Sequence, residues 1–303
     1  MSNKSPQQLR LDGRVAVVTG GGRGLGAAYA KLLAERGASV VVTAASAGGA
    51  EQVVAEIRAG GGRAEADVAD ISTPLGAASA VTHAVDSYGR IDILINNAGI
   101  SHPRKPFAEC TLELFERTWQ VHVLGTFNAT KAAWPHFVAQ GYGRIVNTGS
   151  SAGYFGTPQH EEYCAAKGAI HGLTRSLAFE AADHGIAVNV VVPFALSRST
   201  KGKYPPEALA AMDPRHVASL IVWLAHERCG ANGQVFSALA GRVSRFAIAE
   251  VERFHATDLT PELVAEELAG LDGQAPVLYS SGEPFAFDGT GRSFVSEILR
   301  SLS

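Results

Sequence analysis

The stretch Thr19-Gly20-Gly21-Gly22-Arg23-Gly24-Leu25-Gly26 constrains the fold more than any other part of the chain. It ends the run Arg14-Val15-Ala16-Val17-Val18-Thr19, whose unbroken apolar character suits a strand buried on both faces of a parallel sheet. It leads into Leu25, Tyr29, Leu32 and Leu33, which recur at helical spacing up to Gly37, a residue suited to close a helix. Glycines let the backbone turn tightly and come close to a diphosphate, and the following helix offers free amides and the positive end of its dipole. The order strand, glycine loop, helix therefore predicts a dinucleotide site around Gly20, Gly22, Arg23, Gly24, Leu25 and Gly26. The alternative is a glycine-rich turn that binds nothing.

The rest of the chain alternates in the same way. Ser39–Thr43, Ile91–Ile95, Arg144–Thr148, Ile186–Val192 and Gln234–Ser237 read as further strands. Asp213-Pro214 opens a helix that runs through Trp223, with Asp as N-cap and Pro in the first turn. Strands alternating with helices imply an α/β fold: a Rossmann-type, doubly wound parallel sheet of about seven strands. The alternation covers residues 11–241. Residues 242–303 read as a C-terminal extension, too short to hold much core of its own. Within it, Arg242–Ile248 alternates as a half-buried extended segment would. Thr260-Pro261-Glu262 starts a helix that ends near Gly270, and Gly273–Arg292 reads as loop. Leu263, Val264, Leu268 and Leu271 form one apolar face, and Phe294, Val295, Ile298 and Leu299 a second.

Composition narrows the function. With 46% hydrophobic residues and a net charge of −3, the chain carries no basic stripe for nucleic acid or an anionic membrane. Apolar runs are too short to span a bilayer, and Met1–Arg10 lacks the apolar core of a signal peptide. Cys110, Cys164 and Cys229 lie far apart without metal-ligand spacing, and read as reduced thiols of a cytoplasmic protein.

The chemistry points to Tyr163 and Lys167. Four residues apart in a helical stretch, they share one face, and an ammonium beside a phenol favours the phenolate, making an acid–base group for near-neutral pH. Asn97, Ala98 and Gly99 follow a buried strand and would close the second side of the dinucleotide crevice. Asp67 and Val68 end a weaker strand, where Asp67 either caps or reaches the adenine. The second strand ends in Thr43-Ala44-Ala45-Ser46 without the carboxylate that binds an NAD ribose. Thr43 and Ser46 can donate to a 2′-phosphate. Arg23 either pairs with that phosphate or is a solvated loop charge. The reading favours NADP(H), with NAD(H) possible.

The glycine run, Asn96-Asn97-Ala98-Gly99, Ser150, Tyr163-Cys164-Ala165-Ala166-Lys167 and Pro193 together resemble the short-chain dehydrogenase/reductase family from Leu11 to Gly241. His122 within Val121–Gly125, Ala132-Ala133-Trp134 and Pro193–Thr200 are most similar to the (3R)-hydroxyacyl-CoA dehydrogenase domains of multifunctional enzymes. The second strand resembles 3-oxoacyl carrier-protein reductases instead. The resemblance implies Tyr163 as general acid/base and Ser150 as hydrogen-bond partner of the substrate oxygen. Lys167 would hold the nicotinamide ribose and lower the Tyr163 pKa, and Pro193 would border the cofactor. His122 stands where the family usually has an Asn that supports a relay water. It either carries that relay or simply packs. Phe194 replaces the family's usual Gly and either narrows the pocket or packs.

The expected activity is a ketoreductase interconverting a small-molecule ketone and secondary alcohol. The alternatives are an NAD-dependent 3-hydroxyacyl-CoA or hydroxysteroid dehydrogenase, and a non-catalytic NADP-binding regulator. The resemblance also implies a homodimer or homotetramer, with the tail either crossing a partner subunit or folding back on its own. His160-Glu161-Glu162 reads as a helix-start pattern in preference to a substrate contact, and Arg104 and Lys105 as solvated loop charge.

Overall fold

The computed structural model describes residues 8–195, 212–246, 248–250, 260–268 and 277–279. Seven strands, β1 (Val15–Thr19), β2 (Ser39–Ala44), β3 (Arg63–Val68), β4 (Ile93–Asn96), β5 (Gly143–Thr148), β6 (Ile186–Phe194) and β7 (Val235–Leu239), lie in the order β3-β2-β1-β4-β5-β6-β7, with every pairing parallel. This is the doubly wound α/β sheet that the alternation predicts.

The pleat explains the unbroken apolar runs. Ala16 and Val18 of β1, Val40 and Val42 of β2, and Ile93 and Ile95 of β4 enter one core. Val15, Val17, Val41 and Leu94 point the other way into a second. Successive side chains face opposite sides of a strand, so a strand covered on both faces must be apolar at every position. The first core is closed by α1 (Gly24–Glu35), α2 (Ala47–Ala59) and α8 (Pro214–Ala225), and the second by α3 (Pro74–Tyr88) and α5 (Gly125–Gln140). Each fully buried Val, Leu or Ile contributes about 1.5–3 kcal/mol.

Helix ends follow local chemistry. Arg36 caps α1, and Gly37 follows at φ +104°, in the region that favours glycine. Asp213 accepts the Arg215 amide at 2.8 Å where α8 begins, and Thr73 accepts the Gly76 amide where α3 begins. Between α4 (Leu112–Trp119) and α5 the helix widens to a π-turn over Gln120–Leu124.

Strands β1, β2, β4, β5 and β6 end on the same edge of the sheet, and the order reverses between β1 and β4. In such sheets ligands bind at that point.

The chain divides into two compact units, Met1–Arg245 and Phe246–Ser303. An eighth strand, β8 (Arg242–Phe246), lies beside β7. It is extended as expected but not half-buried: Val243 is 57% exposed, because the core that covers β7 ends at Ala238. In the second unit, β9 (Ile248–Glu250) pairs antiparallel with β10 (Val277–Tyr279), and α9 spans Pro261–Leu268. Val277–Tyr279 corrects the expectation of loop from Gly273 onward; a β-branched and aromatic run finds a strand partner there. Leu271, Phe294, Val295, Ile298 and Leu299 lie outside the described residues. Among the described residues, no helix is long and apolar enough to cross a membrane.

Candidate functional site

The glycine loop is built for close approach. Gly20 has φ +63°, and a Cβ there would come 2.7 Å from Ala98 Cα, so the β1 and β4 loops touch through bare backbone. Gly26 packs against the Gly20 carbonyl, and Gly22 against the first turn of α2, with Ala44 beside it. Gly24 opens α1, and Leu25 turns toward the core. Arg23 stands extended at the α1 N-cap position with no side-chain cap bond. The first amides of α1 are thus left for a ligand. The Arg23 side chain is exposed and makes no ion pair among the described residues.

Thr19 ties this loop to the next one. Its Oγ1 donates to the Ile95 carbonyl at 3.3 Å and accepts the amides of Asn97 at 3.0 Å and Ala98 at 3.1 Å. The Asn97 Nδ2 donates to the carbonyls of Thr19 and Gly20 at 3.0 and 3.2 Å. Asn97 therefore braces the cradle with its amide, and does not point that group at a ligand. Behind it, Asn96 Nδ2 donates to Asn147 Oδ1, and Asn147 Nδ2 to Thr174 Oγ1, both at 2.9 Å.

Asp67 is buried. Its Oδ1 accepts the Ser79 hydroxyl at 2.8 Å, whereas its Oδ2 is buried without a partner. An amino group such as that of adenine would satisfy it. Val68 beside it is 53% exposed. Thr43 departs from expectation. It is fully buried with an unpartnered hydroxyl, because alternation along β2 turns position 43 into the sheet and position 44 toward Gly22. Ser46 is exposed at the α2 N-cap position, and its hydroxyl makes no cap bond. The first turn of α2 holds no acidic residue. An amide-lined cradle, an orphaned buried acceptor and an uncapped helix start fit a dinucleotide.

The second half of the site is carried by α7 (Glu161–Ala182). Ser150 follows β5, its Oγ accepts the Ala152 amide at 3.2 Å, and its hydroxyl draws the Tyr163 pKa down. Lys167 is 4% exposed; its Nζ donates to the Thr148 carbonyl at 2.6 Å and lies 5.6 Å from the Tyr163 ring centre. Burial pulls the Lys167 ammonium down to about 7. Burial also pushes the Tyr163 phenol up, against the pull of Ser150. The expected lowering of Tyr163 by Lys167 is not seen: burial dominates the phenol, and Lys167 is not among the groups that shift it.

His122 sits in the π-turn, 3% exposed, with its ring edge-on to Tyr163 at 5.4 Å. Its Nε2 lies 2.8 Å from the Ile100 carbonyl. Burial first, then the Lys167 charge, lowers its pKa to about 3. The ring is neutral; its Nε2 faces both the Ile100 carbonyl at 2.8 Å and the Ile100 amide at 3.2 Å, so that it donates to the first in one tautomer and accepts from the second in the other, and Nδ1 is buried without a partner. Gly99 permits this placement: a Cβ there would lie 2.6 Å from His122 Cε1. Pro193 and Phe194 are half-buried at the end of β6.

Comparison with known proteins gives the same picture. Residues 14–206 match the short chain dehydrogenase family model. The chain is a short-chain dehydrogenase/reductase. Members of this family bind NAD(H) or NADP(H), and the chain is an oxidoreductase of the class acting on CH–OH groups. It is 39% identical over 271 residues to peroxisomal multifunctional enzyme type 2 of Mus musculus, covering 85% of this chain and 36% of that one. A crystal structure of a short chain dehydrogenase from Mycobacterium avium superposes with a TM-score of 0.79 at 32% identity, covering 88% of this chain and 97% of that one. Full-length peroxisomal multifunctional enzyme type 2 from Drosophila melanogaster superposes with a TM-score of 0.80 at 31% identity, over 97% of this chain and 51% of that one. The chain spans well under half the length of the first curated relatives it matches, 36% and 41% of them.

Sequence reasoning missed two residues here. Thr19 was legible only as the end of a strand, although a hydroxyl closing a buried apolar run needs a partner. His160 was read as part of a helix start, yet its ring lies against Tyr163.

Proposed function

We propose that this short-chain dehydrogenase/reductase is an NADP(H)-dependent ketoreductase that interconverts a ketone and a secondary alcohol. The carrying observation is Lys167 Nζ, fixed by the Thr148 carbonyl 5.6 Å from the Tyr163 ring, with the Ser150 hydroxyl acting on the same phenol. Bound nicotinamide supplies or receives the hydride at the substrate carbon. Tyr163 holds the proton that goes to the substrate oxygen. Ser150 hydrogen-bonds that oxygen as charge develops on it. Lys167, fixed by the Thr148 carbonyl, provides the positive end of the site and a ribose contact. The unpartnered Nδ1 of His122 would bind a proton-relay water.

The cofactor preference rests on Ala44 in place of a carboxylate, on the exposed Arg23 and on the uncapped Ser46 hydroxyl. Residues 11–241 carry this chemistry, and 242–303 extend it. A second reading is an NAD-dependent 3-hydroxyacyl-CoA dehydrogenase, supported by similarity to the mouse enzyme. Steady-state kinetics of the full chain over a panel of ketones, alcohols and hydroxyacyl-CoA thioesters, each with both cofactors, separates them. Turnover of ketones with NADPH supports the first reading, and turnover confined to thioesters with NADH supports the second. Tight NADPH binding without turnover of anything in the panel would overturn both in favour of a binding protein.

A further inference from the structure

Tyr163 is held on a second side. The His160 imidazole lies nearly parallel to its ring, with centroids 4.8 Å apart and planes 17° apart, and His122 meets the same ring edge-on. Residues three apart at a helix start are neighbours, so His160 reaches Tyr163 without strain in the helix itself. On its other edge, His160 Nε2 lies 3.5 Å from Glu162 Oε1 without making a hydrogen bond, and Glu162 is only 4% exposed. A carboxylate is rarely buried without a charged or hydrogen-bonding partner.

Helix capping does not account for the arrangement. His160 occupies the N-cap position of α7, yet its side chain makes no cap bond. Ser, Thr, Asp or Asn would serve the helix better. The preceding residue, Gln159, has φ +61°, a left-handed conformation that a residue with a side chain seldom adopts. It is pinned there by the Lys105 amide, which donates to the Gln159 carbonyl at 3.1 Å. Such a conformation persists where its surroundings over-determine it, commonly at functional sites. The turn is thus shaped to deliver the His160 ring, not to start a helix economically.

We propose that His160 is a positioning residue for the Tyr163 phenol, its imidazole stacked on the Tyr163 ring and its far edge facing the buried Glu162 carboxylate. This inference rests on the reading of Tyr163 as the proton-transfer group. The charged groups around His160 are Glu161 and Glu162 from α7, and Arg104 and His102 from the loop after β4. Burial lowers the His160 pKa and Glu162 opposes that. The imidazole is neutral at neutral pH, and stacking rather than charge holds the phenol.

The test compares His160→Phe, His160→Gln and Glu162→Gln in the full chain. Phe keeps a stacking ring and Gln keeps only polarity, so Phe retains kcat while Gln loses about two- to tenfold, the range an aromatic pair supports. The cofactor KM stays unchanged in both. Glu162→Gln shifts the His160 ring titration, followed by NMR, to lower pH. Equal kcat for Phe and Gln, kcat for Gln above that for Phe, or a His160 titration unmoved by Glu162→Gln would overturn the proposal. Tyr163→Phe, assayed alongside, separates the two ideas. If Tyr163→Phe is active, the proton-transfer reading fails. If it is inactive and the Phe–Gln contrast is absent, only the role of His160 fails.

Discussion

Lys167 Nζ lies 5.6 Å from the centre of the Tyr163 ring and is bonded to the Thr148 carbonyl, 4% exposed, at a pKa pulled to about 7. A buried ammonium without a carboxylate partner is a cost that the fold carries for the site. The unfolded Lys titrates at its ordinary value of 10.5, so between 7 and 10.5 the unfolded chain binds the extra proton. The Lys167 penalty is therefore fully present below pH 7 and fades as pH rises through that window. Cofactor-free wild type should gain stability from pH 7 to pH 10 relative to Lys167→Met, measured by thermal unfolding. Parallel pH curves for the two would mean that Lys167 is solvated.

Thr19→Val keeps the shape of the side chain but leaves the amides of Asn97 and Ala98 without their acceptor. A buried donor so stranded costs about 1–3 kcal/mol. Urea unfolding should show that loss, and cofactor affinity should fall with it, because the two loops that Thr19 joins form the cradle. Undiminished stability would show that water replaces the hydroxyl.

His122 should leave no mark on the pH profile near neutrality, since burial pushes its pKa down to about 3. His122→Asn offers a polar group at the same π-turn and should keep turnover within about tenfold, below the usual loss on removing a general acid or base. Profiles of kcat for wild type and this variant should coincide in shape between pH 6 and 8. A wild-type ionisation in that range that vanishes in the variant would make His122 a titrating acid.

Ala44 faces Gly22 at the end of β2. Ala44→Asp places a carboxylate where a 2′-phosphate would lie, and should move preference from NADPH toward NADH. The measurement is kcat/KM with each cofactor. A wild type that already favours NADH widely would end the argument for a phosphate site.

The fold class was legible because alternation of apolar runs with helical faces follows directly from a sheet covered on both sides; the strand order β3-β2-β1-β4-β5-β6-β7 is a property of the structure that alternation alone does not fix. The glycine loop and the Tyr163–Lys167 pair were legible because their spacing encodes geometry, whereas Ser150 was implied only by the family resemblance. Thr43 was not. Whether position 43 or 44 faces the ligand depends on the phase of the β2 pleat, which a strand buried at nearly every position conceals. Burial of the Tyr163 phenol is invisible in a helix pattern, and the His160 stack depends on the left-handed turn at Gln159. The strand at Val277–Tyr279 was hidden among Gly, Pro and Ser, with its partner about thirty residues upstream.

The central claim is that the Tyr163 phenol carries the proton. Tyr163→Phe removes one oxygen and leaves the ring between His160 and His122. With NADPH and the best ketone of the panel, kcat should fall more than about a hundredfold, while the cofactor Kd from fluorescence titration stays the same. A variant that binds cofactor normally and turns over within a few fold of wild type would contradict the account.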